Sequence, residues 1–186
     1  MSNYQIAVIV GSLRTDSLNK KLARALIKLA DNRLSFDFIN ISKLPLYNQD
    51  DDLAPKTEVL DFHSQVAHCD GLLIVTPEYN RSVPGVLKNA LDHGSRPAGT
   101  NVFATKPAGI IGTSMGSIST ALAQQHLRNI LSFLNVQTMP QPEGFIHWIE
   151  GMIDDQDNIT NERTQTFLQQ WMEAFSAYTI AKIESK

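Results

Sequence analysis

Gln5-Ile6-Ala7-Val8-Ile9-Val10-Gly11-Ser12-Leu13-Arg14-Thr15-Asp16-Ser17-Leu18-Asn19 joins a nearly continuous apolar run to a short polar turn and then to the opening of a helix. An apolar run without alternation marks a strand buried on both faces, the signature of a parallel sheet covered by helices. Beyond the turn, Leu18, Leu22, Ala25, Leu26 and Leu29 recur at spacings of three and four, with Ser17 placed to cap the helix they define. The same alternation continues along the chain. Phe36, Phe38, Ile39 and Ile41 predict a second strand, Gly71–Thr76 a third, Pro107–Thr113 a fourth and Val136–Met139 a fifth. Helical spacing covers about Lys56–His68, Gly85–His93, Ser117–Leu134 and Arg163–Ile183. Five strands alternating with helices predict an α/β fold with a parallel sheet and helices on both faces.

Composition narrows the class. The 186 residues are 42% hydrophobic and 19% charged, enough apolar material for one core, so 1–186 is read as a single domain. A net charge of −3 offers no general attraction to nucleic acid or to anionic membranes, and neither is expected as a partner. No apolar stretch approaches the ~18 residues of a membrane span. Met1-Ser2-Asn3-Tyr4 leads straight into the first strand without a basic, leader-like segment, which reads as a cytoplasmic start. One cysteine, Cys69, excludes an intramolecular disulfide and a thiolate metal cluster.

In open parallel sheets, ligands bind beyond the carboxyl ends of the strands, where the strand order reverses. Three segments follow strands one, three and four: Gly11–Asn19, Pro77–Ser82 and Thr113–Ser117. The first suits a phosphate. Ser12, Thr15 and Ser17 offer hydroxyls, Asn19 an amide and Arg14 a planar fork, and the following helix turns unpaired N–H groups towards the loop. Pro77-Glu78-Tyr79-Asn80, with Ser82, can pack against a planar heterocycle and meet its polar edge, unless Asn80 merely caps a rigid turn. Ser114 and Gly116 would let backbone N–H groups approach a ligand closely.

Other phosphate and metal chemistries lack their motifs. Neither G-x-G-x-x-G nor G-x-x-x-x-G-K-[ST] occurs. Cys69 lies far from the first loop, so a cysteine phosphatase is excluded, and Gly11 and Pro77 stand where a response regulator needs acidic residues. Asp50-Asp51-Asp52 reads as a solvated connection and Cys69 as a small core residue. His63 and His68, five apart, are poorly spaced for a metal. His126 and Arg128 read as helix-surface groups or subunit contacts, and Trp148 and Trp171 as packing anchors.

In combination, Gly-Ser-Leu-Arg-x-x-Ser-x-Asn at 11–19, Pro-Glu-Tyr-Asn-x-Ser-x-Pro-Gly at 77–85 with Leu87-Lys88-Asn89-Ala90, and Gly112-Thr113-Ser114-x-Gly116 resemble the NADPH-dependent FMN reductase family. That flavodoxin-like group includes quinone and chromate reductases. The resemblance implies a three-layer sandwich whose five-stranded parallel sheet has the order 2-1-3-4-5. It implies bound FMN, with the phosphate held by Ser12, Arg14, Ser17 and Asn19. The isoalloxazine ring would be flanked by Pro77, Glu78, Tyr79, Asn80 and Ser82 and closed by Ser114 and Gly116. Hydride would pass from NAD(P)H to flavin N5 and on to a quinone, flavin or similar acceptor, with no catalytic side chain and no metal. A homodimer or homotetramer is implied too. Relatives often carry an aromatic at the position of His93 and a proline at that of Met115, changes that bear on substrate preference. Two alternatives use the same residues: a flavodoxin-type electron carrier without NAD(P)H turnover, and a flavin-free phosphate-ligand sensor.

Overall fold

The computed structural model describes residues 3–185. Met1 and Ser2, which belong to the expected start of the chain, lie outside the described residues, as does Lys186. Strand β1 is Tyr4–Val10, followed by α1 (Leu18–Ile27), β2 (Leu34–Phe38), α2 (Thr57–His68), β3 (Gly71–Val75) and α3 (Gly85–Gly94). Then come β4 (Pro107–Ser114), α4 (Ala121–Phe133), β5 (Gln137–Thr138), β6 (Gly144–His147) and α5 (Glu162–Glu184). The main path of the sheet is β2-β1-β3-β4-β5, all parallel. The flavodoxin-like order expected from the resemblance is therefore present.

The sheet has six strands rather than five, because β6 also pairs with β4. Pro107 lies opposite Gln137, whereas Ile111 lies opposite Gly144, so part of the edge chain between β5 and β6 loops out of register. Pro140 and Pro142 sit in that interruption. Neither can donate to a ladder, and an edge is where a sheet tolerates them. Helix α4 is shorter than its sequence period suggests, since 117–120 form a turn before Ala121.

Side-chain alternation on the central strands divides the core in two. Ile6, Val8, Leu73 and Val75 face α1 and α5, where Leu22, Leu26, Trp171 and Phe175 complete one cluster. Ala7, Ile9, Leu72 and Ile74 face the other way, against Phe62, Val66, Leu87, Leu91, Leu127 and Leu131 of α2, α3 and α4. Cys69 belongs to this second cluster. Burial pushes its thiol up to about 11, so it stays protonated at neutral pH, and Sγ donates to the Gln65 carbonyl at 3.3 Å. Trp171 is fully buried and stacks on Phe175, ring centroids 5.6 Å apart.

That stack presses directly on β4. A Cβ added at Gly109 would lie 2.4 Å from Phe175 Cδ2 and 3.0 Å from the Trp171 ring, and two stacked rings in a filled core cannot step aside. Gly109→Ala is expected to destabilise the fold by about 1–3 kcal/mol through overpacking. Gly85→Ala, where nothing lies within 4 Å, should shift stability by less than about 1 kcal/mol. Urea midpoints of the two variants check this, and equal midpoints would contradict it.

Candidate functional site

The carboxyl ends of β1, β3 and β4 come together at the middle of the sheet, and the three loops that leave them are tied to one another. Gly11 N–H donates to the Val75 carbonyl at 2.9 Å, and Thr76 N–H to the Ile111 carbonyl at 3.0 Å. Gly112 has no room for a side chain: a Cβ there would lie 2.0 Å from the Thr76 carbonyl oxygen. The strand ends approach this closely only because the residue is glycine.

In the first loop, Ser17 caps α1 by accepting from Lys20 N–H at 3.2 Å, leaving its own hydroxyl hydrogen for another acceptor. Among the described residues, the N–H groups of Leu13, Thr15, Asp16, Ser17 and Leu18 find no acceptor in the chain. Arg14 and Lys20 are exposed beside them, with Ser12 and Thr15 hydroxyls in the same turn. A cleft of about 450 Å³ opens here, lined by Ser12, Arg14, Thr15 and Lys20 and walled by Phe38 and Ile41. A set of unpaired N–H groups at a helix start, with a guanidinium and an ammonium at hand, is an anion site.

Asn19, expected to hold a phosphate, has its amide engaged within the chain. It is 3% exposed; its Nδ2 donates to the Thr113 carbonyl at 2.9 Å, and its Oδ1 accepts from Thr113 N–H at 3.0 Å. Its amide locks the first turn of α1 to the end of β4, and one Nδ2 hydrogen remains for anything else.

Residues 77–82 form a tight hairpin rather than an Asn80-capped turn. Tyr79 and Ser82 exchange both backbone hydrogen bonds, at 3.1 and 3.0 Å, around Asn80 (φ 52°) and Arg81 (φ 64°). Positive φ at both central residues is the hairpin geometry that matches strand twist. For an arginine it costs on the order of 1–3 kcal/mol, so the surroundings must hold it. They do so at two points. Glu78 Oε2 accepts from Leu122 N–H and Ala123 N–H, each at 3.0 Å, and caps α4, whose own Thr120 makes no side-chain cap. Ser82 Oγ lies 2.9 Å from His126 Nδ1. Arg81 Nη1 also approaches Glu78 Oε1 at 3.8 Å. The Glu78 side chain thus faces α4, and only its backbone remains for a ligand on the hairpin.

The third loop is internally satisfied. Ser114 Oγ donates to the Ser119 carbonyl at 3.0 Å and accepts from Gly116 N–H at 3.2 Å, so that N–H, expected to face a ligand, is engaged within the loop. His147 Nδ1–H donates to the Gly116 carbonyl at 3.1 Å. What the loop presents outward is apolar. Met115 is 75% and Ile118 48% exposed, against 49% for Tyr79 and 51% for Leu13. Four large apolar side chains are thus left in water on the three loops that leave β1, β3 and β4, the kind of surface that can cover a flat, poorly soluble group.

Elsewhere, His63 Nε2–H donates to the His93 carbonyl at 2.8 Å, and His93 Nε2–H to the Pro45 carbonyl at 2.9 Å. With Tyr47 edge-on to His93 at 5.4 Å, they line a separate cleft of about 200 Å³ between α2 and the end of α3. Among the described residues no group of three or more His, Cys, Asp or Glu side chains could hold a metal ion, and no helix is long and apolar enough to cross a membrane.

The family model described as NADPH-dependent FMN reductase matches residues 4–149. A 2-hydroxy-1,4-benzoquinone reductase of a Burkholderia species is 53% identical over 174 residues, covering 94% of this chain and 95% of that protein. A quinone reductase of Pseudomonas putida is 41% identical over 176 residues, covering 94% of each. Among solved structures, FerB, a flavoenzyme NAD(P)H:(acceptor) oxidoreductase from Paracoccus denitrificans, superposes with a TM-score of 0.92 at 43% identity, covering 96% of this chain and 98% of its own.

Removing the Asn19 amide would leave the buried Thr113 N–H and carbonyl without partners. Asn19→Ala is expected to cost about 2–6 kcal/mol, at about 1–3 for each of the two orphaned groups. Ser17→Ala, which removes only a helix cap, should cost about 1 kcal/mol. Urea unfolding of both variants tests the order, and a smaller loss for Asn19→Ala would show that the clamp is not structural.

Proposed function

The chain belongs to the NADPH-dependent FMN reductase family, and on that premise we propose that it is an NAD(P)H:quinone oxidoreductase that holds FMN across the loops following β1, β3 and β4. The observation that carries this reading is a juxtaposition: an anion site at Gly11–Asn19 beside an exposed apolar shelf of Leu13, Tyr79, Met115 and Ile118. A mononucleotide with a phosphate at one end and a flat tricycle at the other matches both parts. When bound, the isoalloxazine supplies the redox chemistry, taking hydride from NAD(P)H and giving it to the acceptor.

The chain's own residues bind and orient. Arg14, the Ser12 and Ser17 hydroxyls and the unpaired N–H groups of the turn hold the phosphate dianion. Asn19 acts mainly by fixing that turn against β4. Pro77, the Glu78 backbone, Tyr79 and Asn80 form one wall of the ring site, and Ser82 sits at its base. Ser114 and Gly116 hold the opposite loop in shape, so that Met115 can cover the ring. None of these groups needs to act as a nucleophile. The reading extends to a single FMN-binding unit over 1–186 and to a homodimer or homotetramer, as the resemblance implies, and to a cytoplasmic location.

The test has two parts. Purified protein should take up one FMN per chain, turn yellow and oxidise NAD(P)H with 1,4-benzoquinone as acceptor. Arg14→Ala should weaken FMN by tenfold or more, the effect of losing a charge-assisted bond worth about 1.5–3 kcal/mol, while riboflavin, which lacks the phosphate, changes less than about twofold. Equal weakening of both flavins would remove Arg14 from the phosphate site.

A further inference from the structure

His126 projects from the exposed side of α4, outside both core clusters, yet its Nδ1 lies 2.9 Å from Ser82 Oγ in the ring-site hairpin. The Ser82 backbone is fully occupied with Tyr79, so its hydroxyl is the one group it can offer a ligand. That hydroxyl has a single hydrogen. With neutral imidazole accepting at Nδ1, the hydrogen points at His126. With imidazolium, Nδ1–H donates to Ser82 Oγ, and the serine hydrogen is turned outward. One proton on an exposed histidine therefore sets whether Ser82 can donate into the ring site.

We propose that Ser82 and His126 form a proton relay that completes the reduction of the quinone, with Ser82 as the catalytic residue and His126 as the positioning residue that supplies it. The proposal rests on the NAD(P)H:quinone oxidoreductase reading above. Converting a 1,4-quinone to its hydroquinone takes two electrons and two hydrogen nuclei. Hydride transfer brings both electrons and one of the nuclei, leaving the hydroquinone monoanion one proton short. The Ser82 O–H bond breaks towards the quinone oxygen as the Nδ1–H proton of His126 passes to Ser82 Oγ. Neutral, Nε2-protonated His126 remains, and solvent, to which it is exposed, restores its Nδ1 proton before the next turnover.

Charged groups around the pair are already matched with partners. On the hairpin, Glu78 and Arg81 face each other at 3.8 Å, and Glu78 also caps α4. On neighbouring α3, Lys88 and Asp92 pair at 2.7 Å. On α4 itself, Arg128 Nη1 donates to the Met139 carbonyl at 3.0 Å. His126 is the side chain in direct contact with the Ser82 hydroxyl.

His126→Asn separates relay from scaffold, because an asparagine amide can occupy the Nδ1 position and still bond Ser82 but carries no exchangeable charge. The FMN-loaded protein is reduced with NADH, and its reoxidation is followed by stopped flow with 1,4-benzoquinone and with ferricyanide, which accepts electrons without a proton. The expected wild-type quinone-to-ferricyanide rate ratio falls as pH rises from about 5 to about 8, the span in which imidazole loses its proton. In His126→Asn the ratio is expected to be flat and at least tenfold lower at pH 6, consistent with general acid catalysis. Independently of turnover, nitrogen NMR of His126 in flavin-free protein should show the Nε2–H tautomer above pH 8. It should relax towards a mixture in Ser82→Ala. An unchanged ratio and pH profile in His126→Asn, or an Nδ1–H tautomer in the wild type, overturns the relay while leaving the oxidoreductase reading intact. Failure to bind FMN, or to reduce either acceptor, overturns both.

Discussion

Asn19 is polar, nearly fully buried and placed where a helix begins, and both ends of its amide close on the backbone of a single residue, Thr113. Those two bonds fix the position of the first turn of α1 against the end of β4. Because an unpaired amide in that setting would cost about 1–3 kcal/mol for each group, the turn cannot drift from the sheet without a large loss. Its N–H groups, which find no acceptor in the chain, are therefore held in place before any anion arrives. Preorganised donors of this kind bind more tightly because no ordering remains to be done on binding. On the proposed reading, the phosphate grip depends as much on a residue facing inward as on Arg14 facing outward.

The hairpin beyond β3 is held by a related device. Two consecutive residues with positive φ, one of them an arginine, store backbone strain that neither side chain relieves by itself. Glu78 offsets it by reaching two N–H groups of α4, and Ser82 by its contact with His126. The hairpin, which on the proposed reading walls the ring site, is thus coupled to a helix whose other side packs in the core through Leu127 and Leu131. Rigid support from a packed helix lets a strained loop keep one shape, which a flat ligand requires.

Much of this could be read from residue order. Periodicity found the β1-turn-α1 unit, the buried runs of β3 and β4 and the helices, because each is a local pattern whose period is set by backbone geometry. The sixth strand was not legible: Gly144–His147 is short and follows two prolines, and its pairing depends on the register slip against β4. The three loops were recognisable as a site because small and hydrogen-bonding residues cluster after three strands. The destinations of their side chains were not. Asn19 meets Thr113 across 94 positions, and Glu78 meets Leu122 across 44. No local pattern reports such contacts. Thr120 stands at the N-cap position of α4, but its hydroxyl accepts from the Gln124 side chain and makes no cap bond, so the sequence did not show that Glu78 supplies the cap.

That borrowed cap also bears on which way a mononucleotide lies. Two helices, α1 and α4, start beside the loops of the site, and each could attract an anion with its unpaired N–H groups. At α4 the position is taken by the Glu78 carboxylate, bound to two N–H groups at 3.0 Å. A phosphate placed there would have to displace an internal anion and would meet its charge. At α1 the cap is only the neutral Ser17 hydroxyl, and the two cations Arg14 and Lys20 outnumber the one acidic side chain of the turn, the exposed Asp16, which caps no N–H group there. The electrostatic contest between the two helix starts is therefore decided within the chain. On the proposed reading, phosphate lies at α1 and the flat end of the ligand extends towards the uncharged, exposed apolar side chains of Tyr79, Met115 and Ile118.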